Sequence, residues 1–211
     1  MHFEEMQTPE AAELGAVEVH GVTRQSFILS GAIAAGAAFG LGAVSPFVSS
    51  ALAGTGDIDI LNFALTLEYL ETNFYTVKAK TVGLSGAAAK YATQFGEEES
   101  QHVDALTKAI TSLGGKPVPM PKFNFPVTSE STFLGLAYTL ENVGVGAYNG
   151  AGPSVSSGAI LAAAGSIVQV EARHAATIGA LIGKPVTPDG AFDKPMTTKQ
   201  VLAAAGPLIV K

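Results

Sequence analysis

Two short words in the sequence carry side chains of the kinds that can bind metal ions, Glu99-Ser100-Gln101-His102 and Glu171-Ala172-Arg173-His174. On a helix, a carboxylate and an imidazole three positions apart project from one face about a turn apart, so each pair can grip one cation from one side. Each word has a lone glutamate upstream, Glu68 at 31 residues before Glu99 and Glu141 at 30 residues before Glu171. A tyrosine follows each lone glutamate by seven positions, Tyr75 and Tyr148, which is about two helical turns and the same face. One Glu-x-x-His alone would read as a surface pair. Two copies, each matched to an upstream Glu and Tyr, read instead as a repeated helical hairpin built around two ions. The donors are Glu68, Glu99, His102, Glu141, Glu171 and His174, and carboxylate with imidazole suits iron(II) or manganese(II) better than calcium.

The elements that must carry these side chains follow from periodicity and punctuation. Asp57 is a plausible N-cap, and Ile58 to about Val82 reads as a first helix stopped by Gly83. Leu61, Leu65, Glu68, Thr72 and Tyr75 recur at spacings of three and four, so Glu68 lies within the apolar stripe. An unpaired carboxylate there is costly, and a bound cation removes the cost. Ser85 opens a second helix to about Leu113, antiparallel to the first because the connection is short. Residues 114–129 contain Pro117, Pro119, Pro121 and Pro126 and cannot be helical throughout. Extended, they reach about 50 Å against about 38 Å for a 25-residue helix, enough to run the length of a bundle. Ser129 caps a third helix to about Asn149, and Pro153 or Ser154 starts a fourth that ends before Gly183. Beyond Lys184 the chain is proline-rich until Thr197, which caps a short helix through Ala205.

This arrangement resembles the ferritin-like di-iron or di-manganese carboxylate superfamily, in which two bundled helices give one Glu each and two give a Glu-x-x-His. The words Leu61-Asn62-Phe63-Ala64-Leu65-Thr66-Leu67-Glu68-Tyr69-Leu70-Glu71 and Gly190-Ala191-Phe192-Asp193 are similar to bacterial ferritin-like domain proteins related to desiccation-associated proteins. The resemblance covers roughly residues 57–205. It implies an all-α fold, a four-helix bundle with a long crossover between helices 2 and 3, plus a short C-terminal helix. It further implies that Glu99 and Glu171 are shared between two iron or two manganese ions while His102 and His174 take one each.

Several positions leave alternatives open. Glu71 has Gly144 as its counterpart in the second half, and is either an extra carboxylate at the metal or a partly exposed residue on the helix shoulder. Tyr75 and Tyr148, the candidate catalytic residues, hydrogen-bond ligand carboxylates or act as one-electron donors, or else are ordinary core tyrosines. Gly144 and Gly146 either leave a channel beside the site or allow close packing. Glu97, Glu98 and Arg173 read as surface.

Composition narrows the function classes. The net charge of −6 is concentrated in residues 1–53, which hold five Glu and one Arg, so residues 54–211 are nearly neutral and offer no basic footprint for nucleic acid. Cysteine is absent, which excludes disulfides, thiolate zinc and the rubredoxin-type iron site of rubrerythrins. Thr23-Arg24-Gln25-Ser26-Phe27-Ile28-Leu29 opens an uncharged run to Ala53 that resembles an export signal of twin-arginine type, with Gln25 in place of the second arginine. The expectation is an acidic leader and export signal over 1–53, or an anchor touching membrane through 27–53, ahead of a bundle domain over 54–211. The partners expected are metal ions and a small oxidant, with a homo-oligomer as a further possibility. The leading functional expectation is an oxidoreductase meeting dioxygen or hydrogen peroxide, by ferroxidase, peroxidase or catalase-like chemistry, in envelope stress protection. The alternatives are a protein that holds metal without turnover and one that uses it as a structural staple.

Overall fold

A computed structural model describes residues 56–210, and the expected export or anchor segment lies outside the described residues. Helix α1 spans Asp57–Asn73, passes through a π-helical turn at Phe74–Lys78, and finishes in the single turn α2, Ala79–Val82. Gly83 then adopts a left-handed backbone (φ 71°), open to glycine without the clash a Cβ brings, and stops the helix. Helix α3 is Gly86–Ser112, α4 is Glu130–Ala151, α5 is Gly158–Leu181 and α6 is Thr198–Ala205. No helix among the described residues is long and apolar enough to cross a membrane.

The pairing of helices is legible in side-chain contacts. Tyr75 reaches Glu141 while Tyr148 reaches back to Glu68, an order that only antiparallel α1 and α4 allow. Since α1 and α3 form a tight hairpin, α3 and α4 must run in the same direction. Their connection therefore has to travel the whole bundle, as the sequence expects. It is not loose chain. Asn62 of α1, buried, accepts from Val118 N at 2.8 Å and donates to Lys116 O at 3.3 Å, fixing the first part of the crossover. Lys122–Phe123 (β1) then pairs antiparallel with Ile209–Val210 (β2), and Phe125 and Val127 enter the core.

One end of the bundle is filled by aromatic rings. Phe74 stacks on Phe133 (centroids 4.3 Å apart, 6° between planes) and meets Phe125 edge-on at 5.0 Å. Burying each ring stabilises the fold by about 1.5–3 kcal/mol. Leu61, Leu65, Leu106, Ile110 and Ile167 form a second apolar cluster. Seven carboxyl and imidazole side chains lie among these apolar residues, in the same α1, α3, α4 and α5.

Three local expectations are corrected. The N-cap of α1 is Gly56, and Asp57 instead accepts from Ser156 N (2.7 Å) and Ser157 N (2.9 Å), tying the start of α1 to the α4–α5 turn. The helix opened by Pro153 is only the 3-10 turn Gly152–Ser154; α5 begins later, at Gly158, capped by Ser157. A proline suits the first turn of either helix type, and the amides that Asp57 captures hold the chain extended in between. The single first helix of the sequence reading is interrupted by the π turn, where Ala79 N–H bonds Phe74 O.

Candidate metal centre

Each lone glutamate sits two helical turns before its tyrosine, and the antiparallel meeting of α1 with α4 crosses the two pairs. The Tyr75 hydroxyl donates to Glu141 Oε1 and the Tyr148 hydroxyl to Glu68 Oε1, both at 2.5 Å. Of the sequence alternatives for these tyrosines, hydrogen bonding to the carboxylates is what the structure shows. The other two helices repeat the reciprocity. His102 of α3 places Nδ1 3.0 Å from its own Glu99 and 3.1 Å from Glu171 of α5. His174 of α5 places Nδ1 2.9 Å from Glu99 of α3. A pseudo-twofold axis thus relates the halves of the site as it relates the halves of the sequence.

The remaining glutamates complete two groups. Glu68 Oε2 lies 3.2 Å from His102 Nδ1 and Glu141 Oε2 3.3 Å from His174 Nδ1. Glu68, Glu99, His102 and Glu171 each offer one donor atom within 4.8 Å of the others, and so do Glu99, Glu141, Glu171 and His174. Glu99 and Glu171 belong to both groups. The donors are closed off from water, with Glu99, Glu141 and Glu171 all 0 % exposed.

The donor set fits cations. Glu99 Oε1, Glu141 Oε2, both oxygens of Glu171 and His174 Nδ1 are buried and make no well-aligned hydrogen bond, their near neighbours being one another: His174 Nδ1 lies 2.9 Å from Glu99 Oε1 and 3.3 Å from Glu141 Oε2, and Glu171 Oε1 lies 3.1 Å from His102 Nδ1. Four carboxylates crowded together in an apolar interior repel, and each buried polar atom left without a well-aligned bond costs about 1–3 kcal/mol. A divalent ion between them converts that repulsion into ligation.

Without a cation, protons compensate. Burial drives Glu68 up to about 8, against the His102 imidazole, which pulls it down. Glu71 is raised well above its ordinary value by burial and then by the charges of Glu171 and Glu99. Glu171 rises for the same reasons, burial and then the charges of Glu99 and Glu68. Glu141 rises by burial, against His174. Burial also acts upward on Glu99, but bonding from His102 and His174 outweighs it and holds that carboxyl at about 2. Burial disfavours the charged imidazoles, yet the surrounding carboxylates raise His102 to about 12 and His174 to about 11. Both tyrosine hydroxyls are pushed up, by burial and then by Glu141 at Tyr75 and Glu68 at Tyr148. They stay protonated as donors.

A family model described as a ferritin-like domain matches residues 56–184, more than half of the chain. The chain belongs to the ferritin-like domain family. Among curated proteins none matches it. This ferritin-like bundle carries a buried carboxylate and histidine cluster compatible with metal, assembled from the four side chains of the two Glu-x-x-His words and the lone Glu68 and Glu141 upstream of them.

Residues around the cluster settle the open alternatives. Glu71 is buried, 3 % exposed, so the helix-shoulder reading is wrong. It nevertheless stands outside both donor groups. Its carboxylate occupies the gap left by Gly144, where a Cβ would lie 3.0 Å from Glu171 Oε2 and 3.5 Å from Glu71 Oε1. Gly146 packs against Met196, whose side chain would overlap a Cβ there. Close packing, not a channel, is what Gly146 serves. Arg173 is exposed and bonds Gln169 O, as expected of a surface residue.

One residue was misread. Glu98 is not simply surface: its Oε2 is 2.7 Å from His174 Nε2, and its side chain is 34 % exposed. In sequence it is the middle of an acidic run, and its partner is 76 residues away, so no local spacing reveals the contact. Phe95 closes the other side of His174, ring on ring at 3.9 Å. A cleft of about 390 Å³, lined by Tyr75, Thr76, Lys80, Leu84, Thr93 and Glu97, opens beside the same part of α3.

Proposed function

We propose that this ferritin-like protein is a dinuclear oxidoreductase, holding two iron or two manganese ions and reacting with dioxygen or hydrogen peroxide. Glu68 and His102 would hold one ion, Glu141 and His174 the other, and Glu99 and Glu171 would be shared between them. The observation that carries the reading is the convergence of two buried donor groups, Glu68, Glu99, His102 and Glu171 with Glu99, Glu141, Glu171 and His174, several of whose atoms make no well-aligned hydrogen bond. Two such ions supply one electron each, a two-electron exchange of the kind that oxygen and peroxide chemistry uses.

The chain's own part is positioning and proton control. Tyr148 and Tyr75 hold Glu68 and Glu141 by one oxygen, leaving the other to face the neighbouring histidine. Glu71, whose carboxyl burial and four surrounding carboxylates raise well above its ordinary value, shares with Glu171 the gap left by Gly144. The cleft lined by Tyr75 would bring a small oxidant to within one side chain of Glu141. Titrating the apoprotein with iron(II) in air, and with manganese(II) followed by peroxide, tests the reading: metal-dependent consumption of oxidant in one of them is expected, and none in either overturns it.

The complete closure of Glu99, Glu141 and Glu171 favours a second reading, in which the ions are held or serve as a staple without turnover. Stoichiometric metal uptake with no oxidant consumption would select it.

A further inference from the structure

The two halves of the site are related by the pseudo-twofold axis in every donor, but not in what stands behind the histidines. Glu98 precedes Glu99 as Val170 precedes Glu171. Glu98 therefore has an apolar counterpart. Behind His174, Glu98 Oε2 meets Nε2 at 2.7 Å, while Glu98 Oε1 accepts from Gln94 Nε2 at 3.0 Å. The carboxylate is thus fixed at both oxygens. At His102 the carboxylate contacts are all at Nδ1, from Glu68, Glu99 and Glu171, and none stands at Nε2 among the described residues.

We propose that Glu98 is a positioning residue that fixes His174 with Nδ1 toward the cations and makes the His174 half of the di-metal site the tighter of the two. The inference rests on the dinuclear reading above. Its physical basis is direct. An imidazole that donates its Nε2 proton to a carboxylate must present the Nδ1 lone pair on its other side, and the bond makes that nitrogen a better donor. The ring cannot rotate away, because Phe95 stacks on it at 3.9 Å and the Glu98 bond pins its far edge. His102 lacks this brace, so ordering it as a ligand costs more on binding.

The test is calorimetric titration of the full-length apoprotein with manganese(II). Wild type is expected to show two inequivalent sites. Glu98→Ala is expected to weaken the tighter one about 10- to 100-fold and leave the other within about twofold. Glu98→Gln keeps an acceptor oxygen at Nε2 and is expected to recover most of the loss, which separates positioning from charge. A second readout is nitrogen NMR of the histidines in the zinc(II)-loaded protein. His174 is expected to be ligated through Nδ1 with a proton on Nε2, and that proton's hydrogen-bonded shift is expected to vanish in Glu98→Ala. Equal weakening of both sites, no weakening of either, or ligation of His174 through Nε2 overturns the proposal. A wild-type chain that takes up no manganese(II) or zinc(II) overturns the dinuclear reading itself, so the two failures are distinguishable.

Discussion

Gly144→Ala tests whether the site depends on a gap in a helix facing it. An added Cβ would sit 3.0 Å from Glu171 Oε2, inside the roughly 3.4 Å of ordinary contact, so a carboxylate shared by both halves must retreat by a few tenths of an ångström. Alanine in a helix interior gains about 0.8–1.0 kcal/mol over glycine, while overpacking costs about 1–3 kcal/mol. The metal-free protein should therefore range from unaltered to about 2 kcal/mol less stable. Metal binding has no such compensation, because Glu171 belongs to both donor groups. A loss of about tenfold in affinity, or about 1.4 kcal/mol, is expected for each ion. Gly135→Ala, in the same α4 with nothing within 4 Å of the added Cβ, is the control: about 0.8–1.0 kcal/mol more stable, with metal affinity unaltered. Denaturant unfolding of the apoproteins and manganese(II) calorimetry measure the two quantities. If Gly144→Ala behaves like Gly135→Ala in both, the argument that Gly144 makes room for Glu71 and Glu171 is refuted.

Three further outcomes follow from the same geometry. Tyr75→Phe and Tyr148→Phe each strip a donor from a buried carboxyl and should lower unfolding free energy by about 1–3 kcal/mol in denaturant titrations, without changing which side chains surround the centre. Above pH 4.5 the metal-free protein should lose stability as pH rises; below it Glu99, held at about 2, acts in the opposite sense. Glu68, raised in the fold to about 8 from an ordinary 4.5, contributes stability that is complete below 4.5 and gone above about 8. The two histidines follow at about 11 and 12. Metal displaces those protons, so thermal melts with manganese(II) should hold level from pH 5 to 8 where apoprotein melts decline, and binding at pH 7 should release protons to buffer. Asn62→Ala strands Val118 N and Lys116 O in the crossover and should cost about 1–3 kcal/mol, read by the same unfolding experiment.

The fold and the six members of the candidate site were legible in the sequence because both rest on local periodicity. Glu99 to His102 and Glu171 to His174 are spacings within one helix, and the pairing of hairpins follows from short turns and one long proline-rich connection. What depends on contacts between distant segments was not. Glu98 meets His174 across two helices, and an acidic run reads as solvated unless that partner is known. Asp57 was read as a cap because an aspartate before an apolar run usually is one; here a loop some 99 residues later takes its carboxylate. Glu71 was recognised only as the member without a counterpart, and its burial follows from the glycine at that counterpart position, Gly144. The π turn at Phe74–Lys78, which begins at the ring stacked on Phe133, has no sequence signature.

The central claim is that six side chains from four helices hold two cations. Anomalous diffraction at the manganese edge, from crystals of the full chain loaded with manganese(II), measures this directly. Two peaks are expected, one near His102 and one near His174, with Glu99 and Glu171 touching both. No peak among these residues, or peaks only at surface carboxylates, would contradict the account.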